Sequence, residues 1–293
     1  MSDLRLGAIS ACERPSPVSD PAPPWQSTST SQPEYWSGGV TPESLGSPEP
    51  EEKPPLDLWA AVGGERPWGT VLLVFSWCVV FAAMGLAHVM GDVDADLGWG
   101  GLPSPALAPA EPWRWLSYTA VHGGPAHLGA NAFVMLVLGP AVERIFTRAH
   151  LLLLFAVGAI AGAGATLFWD RVSHAGEVSV SVGASGAIFA LGGALLVASW
   201  RLRKKLATSR WRALAASVLW LVIPGLFVGL HEPNVGNAAH VGGFMAGLAG
   251  GVALGLDPRL ELAAPTLLTR LAGALSALAL AICYTIGFAS GAR

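Results

Sequence analysis

The chain has 293 residues, 52% of them hydrophobic and only 13% charged, with 36 glycines and a formal net charge of -3. This balance excludes an ordinary soluble domain of this length and offers no basic surface for nucleic acid. Three cysteines, Cys12, Cys78 and Cys283, lie far apart and form neither a metal spacing nor a disulfide framework.

In chain order, residues 1–66 come first, with half of the prolines, many Ser and Thr, an acidic "EPEEK" and no apolar periodicity. Such a stretch buries too little surface to offset its ordering entropy, so a disordered cytoplasmic tail is expected. "ISAC" before Glu13 faintly resembles a lipoprotein cleavage site, but the stretch ahead of it is short, weakly apolar and interrupted by Asp3 and Arg5. Apolar segments follow at about 70–90, 127–146, 149–169, 180–200, 213–230, 237–256 and 267–289. Each is near the ~20 residues that a helix needs to cross a ~30 Å hydrocarbon core. The expected fold is therefore an all-α, multi-pass integral membrane protein in direct contact with the lipid bilayer.

The connections orient it. "RLRKK", Arg210 and Arg212 place six positive charges and no acid between the fourth and fifth segments, and Arg144 and Arg148 lie between the second and third. The long connection at 91–126 carries Asp92, Asp94 and Asp96 instead. By the positive-inside rule the amino terminus is cytoplasmic, the long loop is outside, and seven crossings leave the carboxyl terminus outside.

Polar residues inside the segments carry the functional question. Ser185 stands between glycines in "GASG", near the start of the fourth segment. Taken alone it reads as filler, because a serine in a membrane helix readily bonds to its own backbone or to a neighbouring helix. About 15 residues at ~1.5 Å each separate it from the inner boundary, roughly 22 Å; the same count gives roughly 24 Å for His240 and 25 Å for His127. Three polar side chains thus share one depth, some 10 Å below the outer surface. A lone histidine in a membrane helix can be no more than a satisfied polar contact. An intramembrane ionisable group is nonetheless a functional hypothesis, and an imidazole is the usual base for a serine hydroxyl.

Ala239, Gly243, Gly247 and Gly251 repeat every four residues on the sixth segment, and Gly186, Ala190 and Ala194 do so on the fourth. Both stripes let backbones approach closely, as ordinary packing surfaces do, and here packing would also bring nucleophile to base. In "HLGAN" His127 and Asn131 are four apart on one helix face, so both side chains, with the Ser185 N–H, can donate to a developing oxyanion. Gly183 and Gly186 admit close approach of the chain beside the serine. A metal site built from His127 and His240 has no carboxylate or cysteine to complete it. A soluble-type hydrolase would need G-x-S-x-G, where Ala187 replaces the last glycine. A transporter is disfavoured by the lack of an inverted repeat.

Taken together, Trp113-Arg114, "HGGPAHLGAN", Gly139 and Glu143, "GASG" and "AHVGGFMAG" resemble, in this order, the rhomboid family of intramembrane serine proteases. The resemblance covers about residues 68–256. It implies a six-helix core, 67–256, and a form with one extra carboxyl-terminal transmembrane helix within 257–293. By it, Ser185 is the nucleophile and His240 the base of a dyad without a carboxylate, with His127, Asn131 and the Ser185 amide as the oxyanion hole. Gly183, Gly186, Phe189 and Gly243 shape the site, while His122 and Trp113-Arg114 shape the outer loop. Phe189 stands where some members have a tyrosine stacked on the catalytic histidine. The implied activity is cleavage of transmembrane substrate proteins near the outer side of the bilayer, with no cofactor and no metal, in a bacterial inner (plasma) membrane. The alternative is a catalytically silent rhomboid-like protein that binds or escorts membrane proteins. Oligomeric state is not legible in the sequence.

Overall fold

The computed structural model describes residues 66–107, 111–173, 176–231, 236–254 and 266–292. The tail expected at 1–66 lies outside the described residues, except for Arg66, as does the connection at 255–265.

The order is α1 (Trp68–Leu86), α2 (Val93–Gly98), β1 (Leu102–Pro103), α3 (Arg114–Ser117), α4 (Pro125–Ile145), α5 (Arg148–Ser173), β2 (Val180–Ser181), α6 (Ser185–Arg201), α7 (Thr208–His231), α8 (Asn237–Ala253) and α9 (Leu267–Gly291). Six of these helices, α1, α4, α5, α6, α7 and α9, are long and apolar enough to cross a membrane. The predicted sixth segment is realised as α8, whose 17 residues give about 25 Å, at the short end of the spanning range. Large apolar side chains point outward from the bundle, among them Phe75 on α1, Phe133 on α4, Phe168 on α5, Trp220 and Phe227 on α7 and Leu275 on α9. This protein is a multi-pass integral membrane protein, and these are its faces toward hydrocarbon.

Helix α6 is the axis of the bundle and the most buried of the spans. It packs most extensively on α8 and also meets α5, α7 and α4. Small residues make this possible, because in lipid no hydrophobic force drives helices together and close backbone contact must replace it. A Cβ on Gly193 would strike the Phe244 carbonyl, one on Gly251 would come within 2.9 Å of Ala194, and one on Gly158 of α5 would strike Ala190. At the far end, Arg201 donates from Nη1 to the carbonyls of Gly251 and Leu254, each at 2.7 Å. A basic side chain thus satisfies the carbonyls left open where α8 ends.

The amino terminus of α1 is capped from a distance. Pro67 offers no capping side chain; instead the Glu143 carboxylate, near the end of α4, accepts from the Gly69 and Thr70 amides at 3.2 and 2.7 Å and from the Thr70 hydroxyl at 2.8 Å. Gly139, one turn earlier on α4, leaves room for Thr70, since a Cβ there would collide with its hydroxyl. Arg148 pairs with the same carboxylate at 3.3 Å.

One predicted boundary is corrected. The segment expected to be helical over 180–200 becomes a helix only at Ser185. Val180–Ser181 instead pairs antiparallel with Leu102–Pro103, Ser104 donates its N–H to Ser179 at 2.9 Å, and Gly183 takes φ +111°. The reason is legible afterwards: Val178, Val180 and Val182 alternate with Ser179 and Ser181, a period of two that suits a strand. Within the loop expected at 91–126, the described residues form α2, β1 and α3. Arg114 pairs with Glu111 at 2.9 Å, lies 4.3 Å over the Trp113 ring, and donates to the carbonyls of Leu97 and Gly101.

Replacing Glu143 by alanine leaves the Gly69 and Thr70 amides of α1 and the Thr70 hydroxyl without their acceptor. The expected loss is on the order of 3 kcal/mol, read as a lower unfolding midpoint in detergent, with Glu143→Gln losing less; an unchanged midpoint for the alanine variant would contradict the capping role.

Candidate active site

Ser185 is the first residue of α6 because the chain ahead of it is extended and turns sharply at Gly183. A side chain at that φ is strained, and a Cβ would also lie 2.5 Å from Cε1 and Nε2 of His127. Both facts require glycine at 183. The serine therefore sits where helix N–H groups have no intrahelical acceptor, a position that favours negative charge.

His240 lies in the first turn of α8, 5% exposed, with Nε2 2.9 Å from Ser185 Oγ. For Nε2 to accept the hydroxyl proton, the imidazole must carry its own proton on Nδ1, which is buried and has no hydrogen-bond partner among the described residues. A ring, and not a carboxylate, orients it: Phe189, one turn after the serine, stacks on His240 with centroids 4.2 Å apart and planes 2° from parallel. Gly225 of α7 makes space for that ring, because a Cβ there would come within 2.8 Å of Phe189.

The distance from hydroxyl to imidazole is set by backbone contact. A Cβ on Gly243 would collide with the Gly186 carbonyl and one on Gly247 with the Ala190 carbonyl, while one on Gly186 would lie 3.1 Å from the Ala239 carbonyl. The two stripes expected from the sequence thus meet each other, one residue from the serine on one side and one from the histidine on the other.

His127, on the first turn of α4, lies against Gly183, and buried Asn131 follows one turn later. The Asn131 amide donates to the His127 carbonyl at 3.0 Å, within its own helix. His122, in the loop ahead of α4, packs edge-on against His127 at 5.2 Å between centroids. Burial first, and the neighbouring His127 second, push the His122 imidazole down to about 3, so it is neutral in the physiological range. Among the described residues no three His, Cys, Asp or Glu side chains come together to hold a metal.

Sequence reasoning passed over Tyr118. Its carbonyl accepts the Gly183 N–H at 2.9 Å, and its hydroxyl donates to the Ala159 carbonyl of α5 at 2.9 Å. In "WLSYTAVHGG" it follows Trp113-Arg114 in a stretch with no clear period, so its only signal was a tyrosine near a membrane boundary.

Comparison with known proteins adds an independent line. A family model described as "Rhomboid domain" matches residues 109–256. The chain is 29% identical over 191 residues to the rhomboid protease GluP of Bacillus subtilis (strain 168), a match covering 65% of this chain and 36% of that protein. It is 36% identical over 163 residues to RHOMBOID-like protein 5 of Arabidopsis thaliana, covering 55% and 50%. Against Rhomboid-related protein 3 of Homo sapiens it is 30% identical over 155 residues, covering 49% and 36%. The matches thus span between about a third and a half of the length of these relatives.

The helix contact at Gly243 is testable directly. Gly243→Leu should separate α8 from α6, and a displacement of ~1 Å between reacting groups lowers rates on the order of a hundredfold. Covalent labelling of Ser185 by a fluorophosphonate should slow accordingly, while Gly85→Leu, at an exposed position with nothing within 4 Å, should label as the unaltered protein does.

Proposed function

The chain belongs to the rhomboid family, and we propose on that basis that it is an intramembrane serine endopeptidase cleaving transmembrane proteins near the outer side of the bilayer. The family consists generally of serine proteases but includes rhomboid-like members without activity. The observation that carries the protease reading is the 2.9 Å contact between Ser185 Oγ and His240 Nε2.

In this reading His240 Nε2 takes the Ser185 proton as Oγ attacks the scissile carbonyl, and then returns it to the leaving amine; water hydrolyses the acyl-enzyme by the same route. The oxyanion forms beside the amino terminus of α6, where the Ser185 N–H, the His127 ring and the Asn131 amide are the proposed donors. For Asn131 this requires an amide proton beyond the one held by the His127 carbonyl. Phe189 holds the imidazole plane. Gly183, Gly186 and Gly243 serve by having no side chain.

Substrate access follows from packing. Helix α7 is the least buried of the spans, packs chiefly on α6 and touches α8 little. A transmembrane segment would enter sideways along α7, beside Phe189, and unwind to present its backbone. The core is residues 67–256, the tail 1–66 and the linker with an added helix 257–293. Arg201, Arg203, Lys204 and Lys205 at the far end of α6 support a cytoplasmic amino terminus and a dyad near the outer face, in a bacterial plasma membrane. The silent binder is the second reading; such proteins usually lack the serine or the histidine, and here both are present and adjacent.

Purified protein should be labelled by a fluorophosphonate and should cleave a transmembrane substrate. Ser185→Ala should abolish both, His240→Ala nearly so, and Asn131→Ala should retain cleavage reduced about 100- to 1000-fold. Unaltered protein that binds membrane segments, resists the reagent and never cleaves would establish the silent reading. For orientation, cysteine at exposed Ala106 in a cysteine-free background should react with an impermeant thiol reagent in intact cells, and cysteine at exposed Thr208 should not. The reverse pattern would place the dyad near the cytoplasmic face.

A further inference from the structure

We propose that the last helix, α9, positions the oxyanion site, and that Tyr284 is the residue through which it does so. The inference rests on the protease reading above and concerns a helix to which that reading assigns no role.

The Tyr284 hydroxyl lies 2.7 Å from Thr119 Oγ1 and 3.4 Å from Trp77 Nε1. Thr119 Oγ1 donates to the Leu116 carbonyl at 2.7 Å. With its single proton committed there, it can only accept from Tyr284, whose own oxygen then accepts the Trp77 N–H. The phenol is therefore held by both of its bonds, and its partners Thr119 and Trp77 are each fully buried.

Two routes lead from these partners to the proposed donors. Along the backbone, Tyr118, the neighbour of Thr119, accepts the Gly183 N–H at 2.9 Å. Gly183 stands two residues before Ser185, whose amide is one donor. Through the rings, Trp77 packs on His122 at 5.6 Å between centroids, and His122 on His127 at 5.2 Å. His127 is the second donor. One hydroxyl on α9 thus fixes the two supports of the site.

The helix that carries it is itself seated at both ends. Gly273 faces Ala149 of α5, where a Cβ would lie 2.5 Å from the Ala149 carbonyl. Gly287 faces the Trp99 carbonyl and Gly100 of the outer loop, and Phe288 meets the Trp99 ring edge-on at 5.3 Å. These contacts hold α9 at a set height against the loop whose residues 118 and 119 serve the site. Tyr284 is a positioning residue: it touches no reacting atom.

The test uses the full-length protein in detergent or proteoliposomes with a transmembrane substrate. Tyr284→Phe keeps the ring and removes the hydroxyl; it should lower kcat about tenfold with KM unchanged, because only alignment in the transition state is lost. Thr119→Val should reproduce the loss and Thr119→Ser should escape it, which keeps the test decisive if Tyr284→Phe fails to fold. In a His127→Ala background Tyr284→Phe should cost less than tenfold, because only the backbone route to the Ser185 amide is left for it to support, whereas in a Phe189→Ala background it should cost the full factor. Losses that multiply fully with His127→Ala, or an unchanged kcat, would overturn the positioning role while the protease reading stands. Unaltered protein that neither labels with fluorophosphonate nor cleaves would remove the protease reading itself, and this inference with it.

Discussion

Backbone contact between α6 and α8 is the constraint on which the rest depends. In lipid, apolar side chains gain nothing by leaving one hydrocarbon environment for another, so helices hold together by close packing and hydrogen bonds. Here the contact is so close that Gly243 and Gly247 meet the carbonyls of Gly186 and Ala190 with no space for a methyl group. Glycine weakens an isolated helix by about 1 kcal/mol relative to alanine, but inside a bilayer the unmet cost of breaking backbone bonds keeps the helix formed. The membrane thereby tolerates glycines at the spacing that brings two helices within reach of one hydrogen bond between their side chains.

Polar groups in the bundle follow the same economy of position. Glu143 would be expensive in hydrocarbon, and it sits instead at a helix end, where orphan amides and Arg148 need an anion. Arg201 does the converse at the end of α8, where orphan carbonyls need donors. Each charge serves a helix other than its own, so the ends of α1 and α8 are tied to α4 and α6. His240 departs from this pattern, since its Nδ1 is buried without a partner among the described residues. In its place stands the Phe189 ring, which can orient an imidazole but cannot neutralise one.

The spans were legible because their physics is simple: runs of apolar residues near the bilayer thickness, with arginines and lysines between particular pairs. The small-residue stripes were legible too, since a spacing of four identifies a helix face, and the likeness to rhomboid proteases singled out Ser185 and His240 before any geometry was known. Apolarity alone does not locate the start of α6; "VSVSV" is apolar enough to extend a span, yet its alternation belongs to a strand. That Asn131 would bond its own helix could not be read, because spacing gives the face of a side chain and not its hydrogen-bond partner. Thr119, Trp77 and Tyr284 were silent for a different reason. Each is an unremarkable residue in its own segment, and only tertiary structure brings them together.

That last cluster also bears on the order in which the molecule can be completed. Tyr284 bonds to Thr119 across 165 positions of sequence and to Trp77 across 207. A chain emerging from its amino terminus lays down α1 and the loop between α1 and α4 long before α9 exists. Until then the Trp77 N–H lacks its Tyr284 acceptor, in surroundings where an unpaired group costs several kcal/mol. These are contacts of high sequence separation, and their closure entropy is met only when α9 arrives. The loop between α1 and α4 is thus synthesised well before α9 completes its set of bonds.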